Sequence, residues 1–305
     1  MVKINGMYSK VYFILAHKKP AQLKELITLL QDGKSFFFIH LDKNVDIHLF
    51  ESIQQMEGCY FIKKREQSRW GGFGIVQATL NGMMEIQNFM KANHGTENYH
   101  CILLSGEDLP LKTNTEIHNL LENKLETSFI HHWKLPYKKW WNGGLFRFES
   151  LYIFDYNKHP KVHYWLNKTI RKLKLDFLFP INRIKKKYPD LELFGSSQWM
   201  ILSKSLMESI VDESIGNQQF KKLFKQVLLP DELYIITFIQ NFIKIKCVFI
   251  ENSPTHLIIF KGVNPNPQYL SVEDIKNNNS EMTLFARKFD NDINGDAVAY
   301  IQTII

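Results

Sequence analysis

The chain has 305 residues, 45% hydrophobic and 23% charged, enough apolar material for a large core, which excludes disorder and short-peptide readings. Lys and Arg number 38 against 31 Asp and Glu, a net charge of +7 that suits anionic ligands but is too small to single out nucleic acid. Cys59, Cys101 and Cys247 stand far apart with no CxxC or His spacing, which argues against a zinc site or disulfide framework and fits small buried hydrophobes in a reducing compartment.

No apolar run approaches the roughly 20 residues of a membrane-spanning helix. The opening MVKINGMYSK is not followed by a signal-peptide h-region with a cleavage site, so the chain is expected to be cytoplasmic, or to touch a membrane only from the side.

In chain order, Val11 to Ala16 is a continuous apolar run ending at His17 and reads as a buried strand. Pro20 then opens a helix with Leu23, Leu26, Ile27 and Leu30 at helical spacing, closed by Gly33. Phe36 to Leu41 gives a second strand ending at Asp42. This βαβ unit predicts a ligand site at the carboxyl ends of its strands, where His17 and Asp42 stand. Tyr60 to Lys63 is a short strand before the loop Arg69-Trp70-Gly71-Gly72-Phe73-Gly74, and Val76, Leu80, Met83, Ile86 and Met90 mark a long helix. The strand Tyr99 to Leu104 ends in Ser105-Gly106-Glu107-Asp108.

Next come strand-like Ser128 to His132, the loop Trp140-Trp141-Asn142-Gly143-Gly144, and Phe146 to Phe154. Lys168 to Lys187 is strongly basic, with Asp176 its one acid. It reads as a solvated face or a surface for anionic lipid headgroups. Trp199 to Leu202 predicts a strand, and Ser205 with Glu208 a capping box. Pro230-Asp231-Glu232 opens an apolar helix to about Phe242, and Val248 to Ile250 and Leu257 to Phe260 are late strands. Strand-length bursts alternating with helical periods predict an α/β fold, a Rossmann-like mixed sheet flanked by helices. There is no internal repeat or linker-like break. Residues 1–305 therefore read as a single domain with a mobile tail after about Asn264.

Each candidate group has a structural and a chemical reading. Asp231 and Glu232 fit the first turn of a helix, where free amides favour negative charge; alternatively one of them faces a cleft as a general base. Asp290-Asn291-Asp292-Ile293-Asn294-Gly295 copies half of an EF-hand loop, but the twelfth position is Ile301. A solvated turn is the better reading, and no metal site is expected. Arg287 and Lys288, between Phe285 and Phe289, form either a surface ion-pair segment or a diphosphate clamp. Gly71-Gly72-Phe73-Gly74 lacks a complete GxGxxG or Walker pattern and reads as a tight turn. Trp133, Trp140, Trp141 and Trp199 could stack on sugar faces or simply pack a core.

Taken in order, Ala16-His17-Lys18, His40-Leu41-Asp42-Lys43, Trp70-Gly71-Gly72, Leu104-Ser105-Gly106-Glu107-Asp108-Leu109-Pro110-Leu111-Lys112-Thr113-Asn114, Gly195-Ser196-Ser197-Gln198-Trp199, Pro230-Asp231-Glu232 and Phe285-Ala286-Arg287-Lys288-Phe289 resemble a known family. It is the family of core 2 and I-branching β-1,6-N-acetylglucosaminyltransferases and peptide O-xylosyltransferases. The resemblance implies a GT-A type fold and an inverting, metal-independent transfer from a UDP-sugar to a glycan or glycoconjugate hydroxyl, with no cofactor. Carried onto this chain, Glu232 would be the catalytic base and Arg287 and Lys288 would face the diphosphate. His17 and Asp42 would line the uridine pocket beside Trp70. Asp108 would stand where metal-dependent relatives keep Asp-x-Asp, with Trp199 and Trp141 at the cleft or acceptor side. The segment from about residue 264 would close over the donor site.

Leu257-Ile258 stands where the family often has Leu-Arg, so one diphosphate arginine is missing unless Lys261 replaces it. The membrane anchor and cysteine pairs of the animal enzymes are absent from this sequence, which suggests a bacterial relative facing the cytosol; a separate expectation is that the Lys168 to Lys187 stretch rests on the inner membrane, where a lipid-linked acceptor would be available. The alternatives are a non-catalytic sugar- or nucleotide-binding protein that retains the fold, and, less consistent with the charge distribution, a nucleic-acid binder.

Overall fold

The computed structural model describes residues 8–95, 97–153, 155, 156, 158–243, 249–261, 266–278 and 280–305. Twelve strands occur among them: β1 Tyr8–Ala16, β2 Ser35–Leu41, β3 Cys59–Phe61, β4 Asn98–Ser105, β5 Asp108–Pro110, β6 Thr127–Phe129, β7 His132–Lys134, β8 Phe194–Ser196, β9 Ile201–Ser203, β10 Phe249–Glu251, β11 His256–Ile258 and β12 Phe285–Arg287. Seven form the central sheet in the order β10-β6-β9-β4-β1-β2-β3. Only β9 runs against its neighbours, β4 and β6, so the sheet is mixed, as the sequence predicts.

Alternation along β1 explains why both faces are covered. Val11 and Phe13 point into one apolar cluster, with Met83 and Ile86 of the helix Gly74–Asn93 and Ile236 of the helix Tyr234–Phe242. Tyr12 and Ile14 point into another, with Leu23 and Ile27 of the helix Pro20–Leu30 and Val298 of the helix Gly295–Ile304. A strand buried on both sides reads as an unbroken apolar run, which is why this unit is clear in the sequence. Strand order reverses at β1, flanked by β2 and β4, and such a switch point opens a crevice at the carboxyl ends of the strands. Gly106 donates its amide to Leu15 O at 3.1 Å there.

Several expectations are corrected. The described residues 266–278 and 280–305 are not a mobile tail: Leu270, Ile275, Leu284, Phe285, Phe289, Ala297 and Ile301 are buried in the second cluster, and β12 is the middle strand of the three-stranded sheet β11-β12-β5. The proposed boundary at Asn264 lies outside the described residues, as do Cys247, Val248 and Phe154. Ser205 forms no capping box, because the helix Lys204–Gly216 begins after Ser203 and the Ser205 hydroxyl donates to Glu126 at 2.5 Å. Phe146 to Phe154 is not a strand: residues 141–147 form an irregular 3-10 turn with Asn142, Gly143 and Gly144 left-handed. The helix expected from Pro230 starts at Tyr234, after a separate 3-10 turn, Pro230–Glu232. Cys59 and Cys101 are free and buried, and burial pushes both thiols up to about 12. No helix among the described residues is long and apolar enough to cross a membrane.

Candidate active site

A cleft of about 650 Å³ opens at this carboxyl edge. Its base follows from strand register. Because β9 is antiparallel to β4, with Ile201 opposite Ile102, Trp199 just before β9 arrives beside the end of β4. Antiparallel β12 and β5 place Arg287 opposite Asp108. The side walls are loops: Trp70 and Gly71, Trp140 and Arg147, and the turn bearing Asp231 and Glu232 all line the cleft.

Two glycines let these loops meet. Gly71 has φ +70°, a conformation that favours glycine. Its carbonyl accepts the Leu229 amide at 3.0 Å, tying the Trp70 loop to the residue before Pro230. At Gly195 a Cβ would stand 2.7 Å from Trp133 Nε1 and 2.9 Å from the Trp140 ring, so only glycine lets both indoles lie against β8. Those two rings meet edge to face at 4.9 Å.

Glu232 Oε2 is 2.5 Å from Arg147 Nη1. Arg147 is 7% exposed, and its guanidinium stacks over the Trp140 ring at 3.9 Å, so the partner of Glu232 is fixed by packing. The neighbouring Asp231 is pushed up to about 7, first by burial and then by the charge of Glu232. Its Oδ1 is buried without a hydrogen-bond partner. Side by side, one carboxylate is held as an ion pair and the other is driven toward its protonated form.

Arg287 and Lys288 line the same cleft. The Arg287 guanidinium lies 4.2 Å from the Trp199 ring centroid, with Nε 3.6 Å from Asp108 Oδ1. Asp108 itself is wholly buried and accepts from Ser105 N at 2.8 Å and Ser105 Oγ at 2.6 Å. Burial raises its pKa, against the opposing effect of Arg287. Lys288 Nζ lies 3.4 Å from Glu107 Oε1, which Lys18 also approaches at 2.9 Å. Buried His256, stacked 5.2 Å from Phe285, is pushed down to about 3 by burial and by Arg287, so it stands as a neutral imidazole.

Of the residues singled out from the sequence, Glu232, Trp70, Trp199, Arg287 and Lys288 line one cleft. Asp108 does not; it sits behind the wall, opposite Arg287, because its oxygens are taken up by Ser105. Trp141 does not either: it is 75% exposed, since the left-handed turn after it leaves Trp140 to face inward. His17 is exposed at the end of β1, within the electrostatic reach of Glu107, Asp42 and Lys288. Asp42 is buried and accepts the amides of Asn44 at 2.9 Å and Ser68 at 2.7 Å, which fastens the loop leading to Trp70. Neither is part of the cleft lining. Lys261 is exposed and outside the lining; its charge acts on Asp274. Asp290 and Asp292 both pair with Lys19, and no group of three or more metal-ligating side chains occurs among the described residues.

Residues 11–278 match the family model for the Core-2/I-Branching enzyme. The chain belongs to the Core-2/I-branching enzyme family. Human xylosyltransferase 2 is 23% identical over 318 residues, covering 94% of this chain and 32% of that protein. The human probable beta-1,3-galactosyl-O-glycosyl-glycoprotein beta-1,6-N-acetylglucosaminyltransferase 7 is 23% identical over 238 residues, 76% of this chain and 49% of its own. The xylosyltransferase of Ciona intestinalis is 23% identical over 320 residues, 95% and 33% respectively. The chain thus spans about a third to a half of the length of these relatives. Arg147 and His256 are among the cleft residues that sequence reasoning did not single out. Arg147 ends an irregular turn and carries no periodic or motif signal, and His256 lies in a strand of three residues.

Proposed function

We propose that this family member is an inverting glycosyltransferase that moves a sugar of the N-acetylglucosamine or xylose class from a UDP-sugar to a hydroxyl of a glycan or glycoconjugate, without a metal ion. The observation that carries the reading is that Glu232 and the pair Arg287 and Lys288 line one cleft. The carboxylate of Glu232 accepts the proton of the acceptor hydroxyl as that oxygen forms a bond to the anomeric carbon. The bond from that carbon to the diphosphate oxygen breaks on the opposite face, and its electron pair leaves with UDP. Arg287 and Lys288 meet the charge that develops there. One ionised carboxylate suffices, because the diphosphate departs without a proton, whereas a glycosidase normally needs a second carboxyl group as acid.

The supporting residues fit these roles. Arg147 orients Glu232 through their ion pair, while burial and the charge of Glu232 drive Asp231 toward its protonated form. Asp108 and Glu107 hold the two cations in place before a donor arrives. Trp133, Trp140 and Trp199 give the cleft flat apolar walls suited to sugar faces. The test is UDP release from a set of UDP-sugars with and without EDTA, alongside calorimetry with UDP. Turnover of one donor, indifferent to EDTA, is expected. UDP binding without turnover of any donor would leave a binding protein instead, and activity lost to EDTA and restored by manganese would refute metal independence.

A further inference from the structure

Away from the cleft, exposed large apolar side chains concentrate in one basic stretch. Val162, Tyr164, Trp165, Leu173, Phe177 and Leu178 are between 37% and 63% exposed. The helix Pro160–Lys172 buries His163, Asn167 and Ile170, three positions on one face by spacing. A flanking stripe, Val162, Trp165, Leu166 and Thr169, forms a shallow groove with Lys161, with Leu166 at its inner edge against the buried cluster. Lys168 and Lys172 are exposed beside that stripe, and Lys168 Nζ lies 4.8 Å from the Trp165 ring centroid. The inward side is already occupied, since Ile170 packs with Leu151 and Phe179 in a small cluster of its own. The apolar residues outside therefore cannot turn inward to escape water. Lys174, Lys185, Lys186 and Lys187 extend the positive field and are exposed.

We infer that this face, residues 160–187, lies on a lipid surface bearing anionic headgroups. Aromatic and aliphatic side chains on the outer face of an anchored helix, rimmed by lysines, match an interface in which rings settle at headgroup level and ammonium groups meet phosphate. The charge complementarity is one-sided: Asp176 is the single acid between Lys161 and Lys187, so the surface selects negative partners. The inference does not depend on the reaction proposed for the cleft.

Sedimentation of the full chain with phosphatidylcholine vesicles, with or without about a third phosphatidylglycerol, tests it. Binding is expected only with the anionic lipid and to weaken with salt. Each lysine near such a surface contributes roughly a fivefold factor, so Lys168→Gln with Lys172→Gln lowers partitioning about 25-fold. Trp165→Ser with Phe177→Ser weakens it further at high salt, where the apolar contribution dominates. Brominated lipid quenches part of the wild-type tryptophan emission, and Trp165→Phe removes that part, while thermal melts establish that each variant is folded. Absence of sedimentation with anionic vesicles overturns the inference. So does binding that both double variants leave unchanged, or self-association, in place of vesicle binding, that these variants abolish.

Discussion

Replacing Asp231 with asparagine separates the two neighbouring carboxyl groups of the cleft. Burial, followed by the charge of Glu232, raises Asp231 from 3.8 to about 7. A carboxyl raised in the folded state favours folding with its proton on. Its contribution is fully present below about pH 4 and is lost as the pH rises through about 7. A rise of roughly three units corresponds to a ceiling of about 4 kcal/mol at ~1.4 kcal/mol per unit; with relaxation around the site, about 2–4 kcal/mol is expected. Asparagine resembles the protonated acid, so Asp231→Asn should match wild type near pH 4 and exceed it by that amount at pH 8. With a urea slope of about 2–3 kcal/mol/M for a chain of this size, the unfolding midpoints at pH 8 should differ by about 1 M. A midpoint difference that stays constant from pH 4 to pH 8 would refute the reasoning, because it would show that the carboxyl titrates alike in the folded and unfolded chain.

In the proposed donor site Lys288 meets the diphosphate, so Lys288→Ala should weaken UDP binding about tenfold or more by calorimetry; unchanged affinity would remove Lys288 from that site. Gly195→Ala drives a methyl group against Trp133 and Trp140 and should cost about 1–3 kcal/mol in urea unfolding through overpacking. An alanine variant as stable as wild type would show that the two rings have room to move.

The βαβ unit was legible because its strands are buried on both faces and read as uninterrupted apolar runs, and because Pro20 marks a helix start. Pro230 marked the turn that carries Glu232, but only the family resemblance singled out Glu232, Arg287 and Lys288 as parts of one site, and the three do line one cleft. What stayed hidden was decided by backbone geometry or by distant contacts. The left-handed residues Asn142, Gly143 and Gly144 determine that Trp140, and not Trp141, lines the cleft, and adjacency in sequence cannot tell the two apart. Arg147 meets Glu232 across 85 positions of chain, a pairing no local pattern encodes. Asp108 looked available at a strand end, yet its backbone turn brings Ser105 onto both oxygens. The end of the chain was expected to be a tail, but its scattered apolar residues converge on one face of the sheet with Tyr12 and Ile14 of β1.

Glu232→Gln bears most directly on the account, since glutamine keeps the shape and a hydrogen bond to Arg147 but cannot take up the acceptor proton. Measured side by side, sugar transfer should fall at least about a hundredfold while UDP affinity stays within about twofold of wild type. Transfer at the wild-type rate in that variant would contradict the assignment of Glu232 as the base.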